Sequence, residues 1–136
     1  MIYILDACAL VAFFNEEPGY EIVENLLKKA MNHQLTLRMN IINILEIYYG
    51  VYRDDGKQMA ERIFQKIQSL PIYINRMIST DIFKNAAKLK AKFNISVSDS
   101  IAIAEANVLE SEIVTSDHQK FDILEQENIV RIHWIR

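Results

Sequence analysis

The chain is predicted to fold as an α/β domain in which a mostly parallel central sheet is flanked by helices. Short runs rich in Ile, Leu and Val alternate, from one end to the other, with longer segments whose apolar residues recur at helical spacing. Only three Gly and two Pro interrupt this pattern in 136 residues. With 51% hydrophobic and 24% charged residues, nothing in the composition favours disorder, and the length suits one domain spanning residues 1–136.

Each element has its own signal. Ile2 to Leu5 is a β-favouring run that ends at Asp6, and Ala7 to Phe14 continues as a short apolar helix until Asn15-Glu16-Glu17-Pro18-Gly19 breaks it. From Tyr20 to Asn32, Ile22, Val23, Leu26, Leu27 and Ala30 mark a helical stripe, with Lys28 and Lys29 suiting the carboxyl end of the helix dipole. Leu35, Leu37 and Met39 alternate with polar residues as a strand, and Asn40 then starts a helix from Ile41 to about Arg53, closed by Asp54-Asp55-Gly56. Lys57 to Ser69 carries a stripe of Met59, Ala60, Ile63, Phe64 and Ile67; Pro71 stops it and Ile72 to Ile74 reads as a strand. Ser79 opens a helix to about Phe93 with Ile82, Phe83, Ala86, Ala87 and Leu89 facing inward. Ser96 or Ser98 caps a helix over Asp99 to Leu109, Ile113 to Thr115 is a strand, Phe121 to Glu127 a short helix, and Val130 to Trp134 the last strand.

A formal net charge of −3 lacks the basic excess of a general nucleic-acid binder, so contact with a phosphodiester would need local cationic clusters and neutralised acids. The single cysteine, Cys8, cannot pair within the chain and reads as a small buried hydrophobe, which suits a reducing cytoplasm. The apolar amino terminus has no basic leader and carries Asp6 in its middle, which argues against a signal peptide or a membrane span.

In open α/β sheets a carboxylate just past a strand points to the ligand crevice, and Asp6 and Asp117 both stand there, although each is equally suited to cap a helix. Glu46 sits in a helix that is apolar on nearly every face; it and Asn43 lie three residues apart on one side. A carboxylate so placed needs a partner, either a metal ion or Arg38 or Arg53 in an ion pair. Asp99, three positions after Ser96, reads either as part of a capping box or as a site acid. Together the four acids suit a hard cation held by oxygen, magnesium or manganese rather than zinc. Lys84, Lys88 and Lys92 recur every four residues, as a phosphate-tracking row or as a solvated helix face. Tyr48, Tyr49 and Tyr52 suggest a protein-contact surface on the third helix. His33, His118 and His133 read as surface or structural residues.

Ile-Tyr-Ile-Leu-Asp6-Ala-Cys-Ala-Leu, Asn43-Ile-Leu-Glu46-Ile, Ser-Asp99-Ser-Ile-Ala-Ile-Ala-Glu-Ala and Thr115-Ser-Asp117-His-Gln-Lys-Phe121-Asp follow one another in an order that resembles a PIN domain, most closely the VapC toxins of toxin-antitoxin pairs. The resemblance implies a single PIN-like domain and a magnesium-dependent endoribonuclease, with manganese as a substitute, that cleaves RNA by metal-activated water. Asp6, Glu46, Asp99 and Asp117 would hold the metal, with Thr115 as an auxiliary hydroxyl beside the acids. It also implies a cognate antitoxin protein as partner, which would bind the tyrosine-bearing face of the third helix unless that face joins two copies in a homodimer. One departure is the Ala7-Cys8 pair, where many relatives carry Thr or Ser. A housekeeping PIN nuclease for RNA processing and a non-cleaving scaffold that binds RNA or protein are the competing readings; a phosphotransferase with a nucleophilic Asp fits less well, because Cys8 stands where a second Asp is wanted.

Overall fold

The computed structural model describes residues 1–136. In chain order the elements are β1 (Ile2–Leu5), α1 (Ala7–Phe14), α2 (Tyr20–Met31), β2 (Thr36–Asn40), α3 (Ile41–Asp55), α4 (Lys57–Ser69), β3 (Ile72–Asn75), α5 (Thr80–Lys92), α6 (Val97–Val108), β4 (Glu112–Thr115), α7 (His118–Gln126) and β5 (Arg131–Trp134). The strands form one five-stranded sheet in the order β3-β2-β1-β4-β5. Every pairing is parallel, so the sheet is wholly rather than mostly parallel.

The period-2 alternation of the strands divides two cores between the faces. Leu5, Leu37, Met39, Ile72 and Val114 pack against α1 to α4 through Leu10, Val23, Leu27, Ile44, Ile47 and Ile67. On the other face Ile4 and Ile113 meet α5, α6 and α7 through Ile82, Leu89, Ile103, Phe121 and Leu124. Because the strands run one way, their carboxyl ends share one edge of the sheet. Asp6 follows β1, Asn40 and Asn75 end β2 and β3, and Ser116-Asp117 follow β4.

Several predicted details shift. Helix α6 begins at Val97 because Ser96 caps it, accepting from the Asp99 N–H at 3.1 Å. Helix α7 begins at His118 rather than Phe121, since Asp117 serves as its cap. In α5, Ile82, Ala86 and Leu89 are buried, whereas Phe83 and Ala87 turn to solvent. That helix packs mainly on α6 and presents a narrower stripe than the sequence suggests. Ile22 of α2 is likewise exposed. No helix is long and apolar enough to cross a membrane.

Candidate active site

The site is built outward from Asp6, which is only 2% exposed at the carboxyl end of the central strand. Its Oδ1 accepts the Ala9 N–H at 2.9 Å and caps α1, while its Oδ2 accepts the Thr115 hydroxyl at 2.7 Å. Burial outweighs these hydrogen bonds and, with the neighbouring charges of Asp99 and Asp117, pushes its carboxyl from 3.8 up to about 7. Thr115 also accepts the Asp117 N–H at 3.1 Å, so one hydroxyl ties the loop after β4 to the end of β1.

Helices α3 and α6 deliver the second pair of acids. Asn43 and Glu46 lie on one face of α3, as their spacing predicts, and that face meets the first turn of α6. Asn43 is fully buried and donates to the Ser98 carbonyl at 2.9 Å. The Ser98 hydroxyl donates to Glu46 Oε2 at 2.9 Å. Glu46 is half-buried rather than enclosed, because α3 leaves Leu45, Tyr49 and Tyr52 exposed beside it. Neither arginine pairs with it: Arg38 lies 3.1 Å from Glu105 and Arg53 lies 3.0 Å from Asp54. Asp99 is buried, and no hydrogen bond reaches its Oδ2. Since Ser96 already caps α6, the Asp99 carboxylate is left for the site.

Asp117 caps α7 by accepting the Lys120 N–H at 3.3 Å. The cap and site readings are therefore compatible for Asp6 and Asp117 alike. One turn into α7, the Lys120 ammonium lies 3.4 Å from Asp99 Oδ2. Its pKa is raised, first by Asp99 and further by Asp117 and Glu46. Lys120 therefore marks where the fields of three acids overlap. It escaped the sequence reading although it stands three residues after Asp117, the spacing that returns a side chain to the same helix end.

All four acids thus lie at one edge of the sheet, but no three His, Cys, Asp or Glu groups stand close enough to cage a metal ion. Instead, Asp6 and Glu46 are held by hydroxyls and Asp117 by a backbone N–H. The donor set is nonetheless all oxygen, and the buried Asp99 Oδ2, met only by the Lys120 ammonium, suits a hard cation that keeps part of its water shell.

The remaining candidates fall elsewhere. Lys84, Lys88 and Lys92 are exposed along α5 and touch none of the four acids. Cys8 is half-buried, not a core residue; its thiol lies 2.9 Å from the Ser116 hydroxyl, and burial raises its pKa. His118 stacks on Trp134 with ring centroids 3.8 Å apart and bonds the Arg136 carbonyl and Asp122, a structural clip that also raises its pKa. His133 packs edge-on against Tyr3. Tyr48 bonds Glu61 at 2.7 Å and packs on Phe64, which leaves only Tyr49 and Tyr52 of the tyrosine group exposed. A concavity lined by Asn107, Glu110, Ser111, Glu112 and Arg131 opens at the amino ends of β4 and β5 and holds none of these residues.

Comparison with known proteins places this arrangement in context. The family model described as PIN domain matches residues 3–125. No curated protein matches the sequence. Among solved structures, VapBC2 from Rickettsia felis, bound to a DNA fragment from its promoter, aligns over 98% of this chain and 98% of its own at 20% identity with a TM-score of 0.75. VapBC-1 from nontypeable Haemophilus influenzae aligns over 99% and 98% at 18% identity, TM-score 0.73. DNA-bound VapBC from Salmonella typhimurium aligns over 100% and 99% at 14% identity, TM-score 0.74. At these identities the structural likeness speaks for the fold.

Proposed function

The chain belongs to the PIN-domain family, and from that premise we propose that it is a metal-dependent endoribonuclease, the toxin of a toxin-antitoxin pair, acting as one domain over residues 1–136 in the cytoplasm. The observation that carries this reading is the convergence of Asp6, Glu46, Asp99 and Asp117 at the carboxyl edge of one parallel sheet, with Thr115 bonded to Asp6 and the buried Asp99 Oδ2 facing a single cation, Lys120. The likeness to VapBC complexes supports the toxin assignment and a protein antitoxin as partner.

Asp6, Asp99, Asp117 and Glu46 are the residues assigned to hold magnesium, or manganese in its place. When bound, the ion supplies a hydrolytic water and neutralises the charge of a phosphodiester, which lets an acidic protein take an RNA substrate. The protein's own residues set the geometry. Thr115 fixes the orientation of the Asp6 carboxylate through its hydroxyl, and Ser98 fixes Glu46 in the same way. Asn43 fastens α3 to the backbone of α6 one residue before Asp99, so both helices hold their acids in register. We assign Lys84, Lys88 and Lys92 to the RNA backbone, because α5 leads directly into the Phe93–Ser96 segment that delivers Asp99. Leu45, Tyr49 and Tyr52 are assigned to the antitoxin. They flank Glu46 on α3, so a peptide laid on them also screens the acids. A second copy of the chain in a homodimer belongs to the same reading.

The test incubates purified protein with labelled transfer and ribosomal RNA in magnesium, in manganese and in chelator, comparing wild type with Asp6→Asn and Asp99→Asn. Each substitution is expected to lower cleavage about 100-fold or more, and chelation to abolish it. Cleavage that survives both substitutions or the chelator sinks the metal mechanism. Growth arrest on expression, relieved by a co-expressed neighbouring gene, separates a toxin from a housekeeping nuclease. Intact RNA under every condition returns the protein to a non-cleaving scaffold.

A further inference from the structure

A cation already lies against the acids, and it is part of the chain. Lys120 Nζ stands 3.4 Å from Asp99 Oδ2, a buried site carboxylate oxygen that no other donor reaches. The lysine backbone is pinned, since its N–H caps onto Asp117 Oδ1 in the first turn of α7. The other cations that the sequence offers to the α3 acid are committed elsewhere, Arg38 to Glu105 and Arg53 to Asp54. The Lys120 side chain is 46% exposed, which leaves it a solvent-facing route off the carboxylate, while the Asp99 side chain is 9% exposed and stays.

We propose that Lys120 is a tethered counter-ion that holds Asp99 Oδ2 until a divalent cation arrives, and that by competing for this oxygen it sets the affinity of the site for that cation. This rests on the reading of the four acids as a metal site and adds to it a positioning residue. The consequence is a site that resists loading at low metal, because an incoming ion must displace an intramolecular ammonium whose local concentration is fixed by α7. Removing the charge therefore makes metal binding tighter, the reverse of what removing a ligand does.

The experiment titrates the full chain with manganese and follows the free-ion signal by electron paramagnetic resonance, so that no RNA cleavage is needed. Wild type is compared with Lys120→Gln, Lys120→Met, Lys120→Arg and Asp99→Asn. Both neutral variants are expected to bind manganese about fivefold more tightly, the scale of one partly solvated ion pair at this distance, with the arginine variant close to wild type. Asp99→Asn should bind more weakly, and adding Lys120→Gln to it should produce no gain. Equal or weaker binding by both neutral variants overturns the role of Lys120 while leaving the metal site standing. Absence of saturable binding in wild type and both neutral variants overturns the site itself and this proposal with it.

Discussion

Asp6 shows how far a single residue can be read from its position and how far it depends on the fold. Its place after an apolar strand marks it as both cap and site acid; its pKa near 7 comes from burial, which no local pattern announces. The native state binds a proton here that the unfolded chain, with a pKa of 3.8, has already released. The contribution of Asp6 is therefore present below pH 4 and is lost as the pH rises through 7. In metal-free buffer, wild type should lose roughly 2–4 kcal/mol relative to Asp6→Asn between pH 4 and pH 8, measured by urea unfolding at each pH. A flat difference between the two would show that Asp6 is not desolvated. Lys120 marks the opposite limit of legibility: its spacing from Asp117 was in plain view, but its meeting with Asp99, from another helix, is a property of the assembled edge alone.

Elements were more legible than their junctions. Short apolar runs and helical stripes identified every element, because strands buried on both faces read as unbroken β-favouring segments while most of the helices bury only one side. What sequence could not assign was which of Ser96 and Ser98 would cap α6, since both are serines before the same apolar run. The structure gives Ser96 to the cap and Ser98 to Glu46. Helix α6 also hides a polar clamp. Glu105, fully buried within the Ile-Ala-Ile-Ala-Glu-Ala run, takes Arg38 of β2 at 3.1 Å and Asn75 of β3 at 2.9 Å, while Arg38 lies over the Tyr73 ring. Arg38→Met should cost about 3 kcal/mol or more in denaturant unfolding, because it strands a buried carboxylate. The Arg38→Met/Glu105→Met pair should recover most of that loss, and a double variant as weak as the single would show that the charges are not coupled. On α5, changing Lys84, Lys88 and Lys92 together to Gln should reduce the slope of log Kd against log salt by about 2 for single-stranded RNA. An unchanged slope would return that row to a solvated face.

At the scale of the whole molecule, the two cores leave one side of α3 uncovered next to the acids. Tyr49→Glu with Tyr52→Glu should abolish co-purification with the cognate antitoxin while RNA cleavage by the free chain persists; retained co-purification would place the partner elsewhere. The glycine at 19 is set by the global fold too. With φ +97°, and with a Cβ that would fall 2.3 Å from the Ile135 carbonyl oxygen, it lets the α1–α2 turn lie against the last residues of the chain. Sheet order has a further consequence, one of timing. The strand at the centre of the sheet is synthesised well before its partner β4, which spans Glu112–Thr115, and the Thr115–Asp6 hydrogen bond joins residues 109 apart. A growing polypeptide on the ribosome therefore cannot assemble its acids until β4 has been translated, because the hydroxyl that orients Asp6 belongs to that strand. Until β4 docks beside β1, the carboxylates stay scattered along the nascent chain, and no cation can find them together.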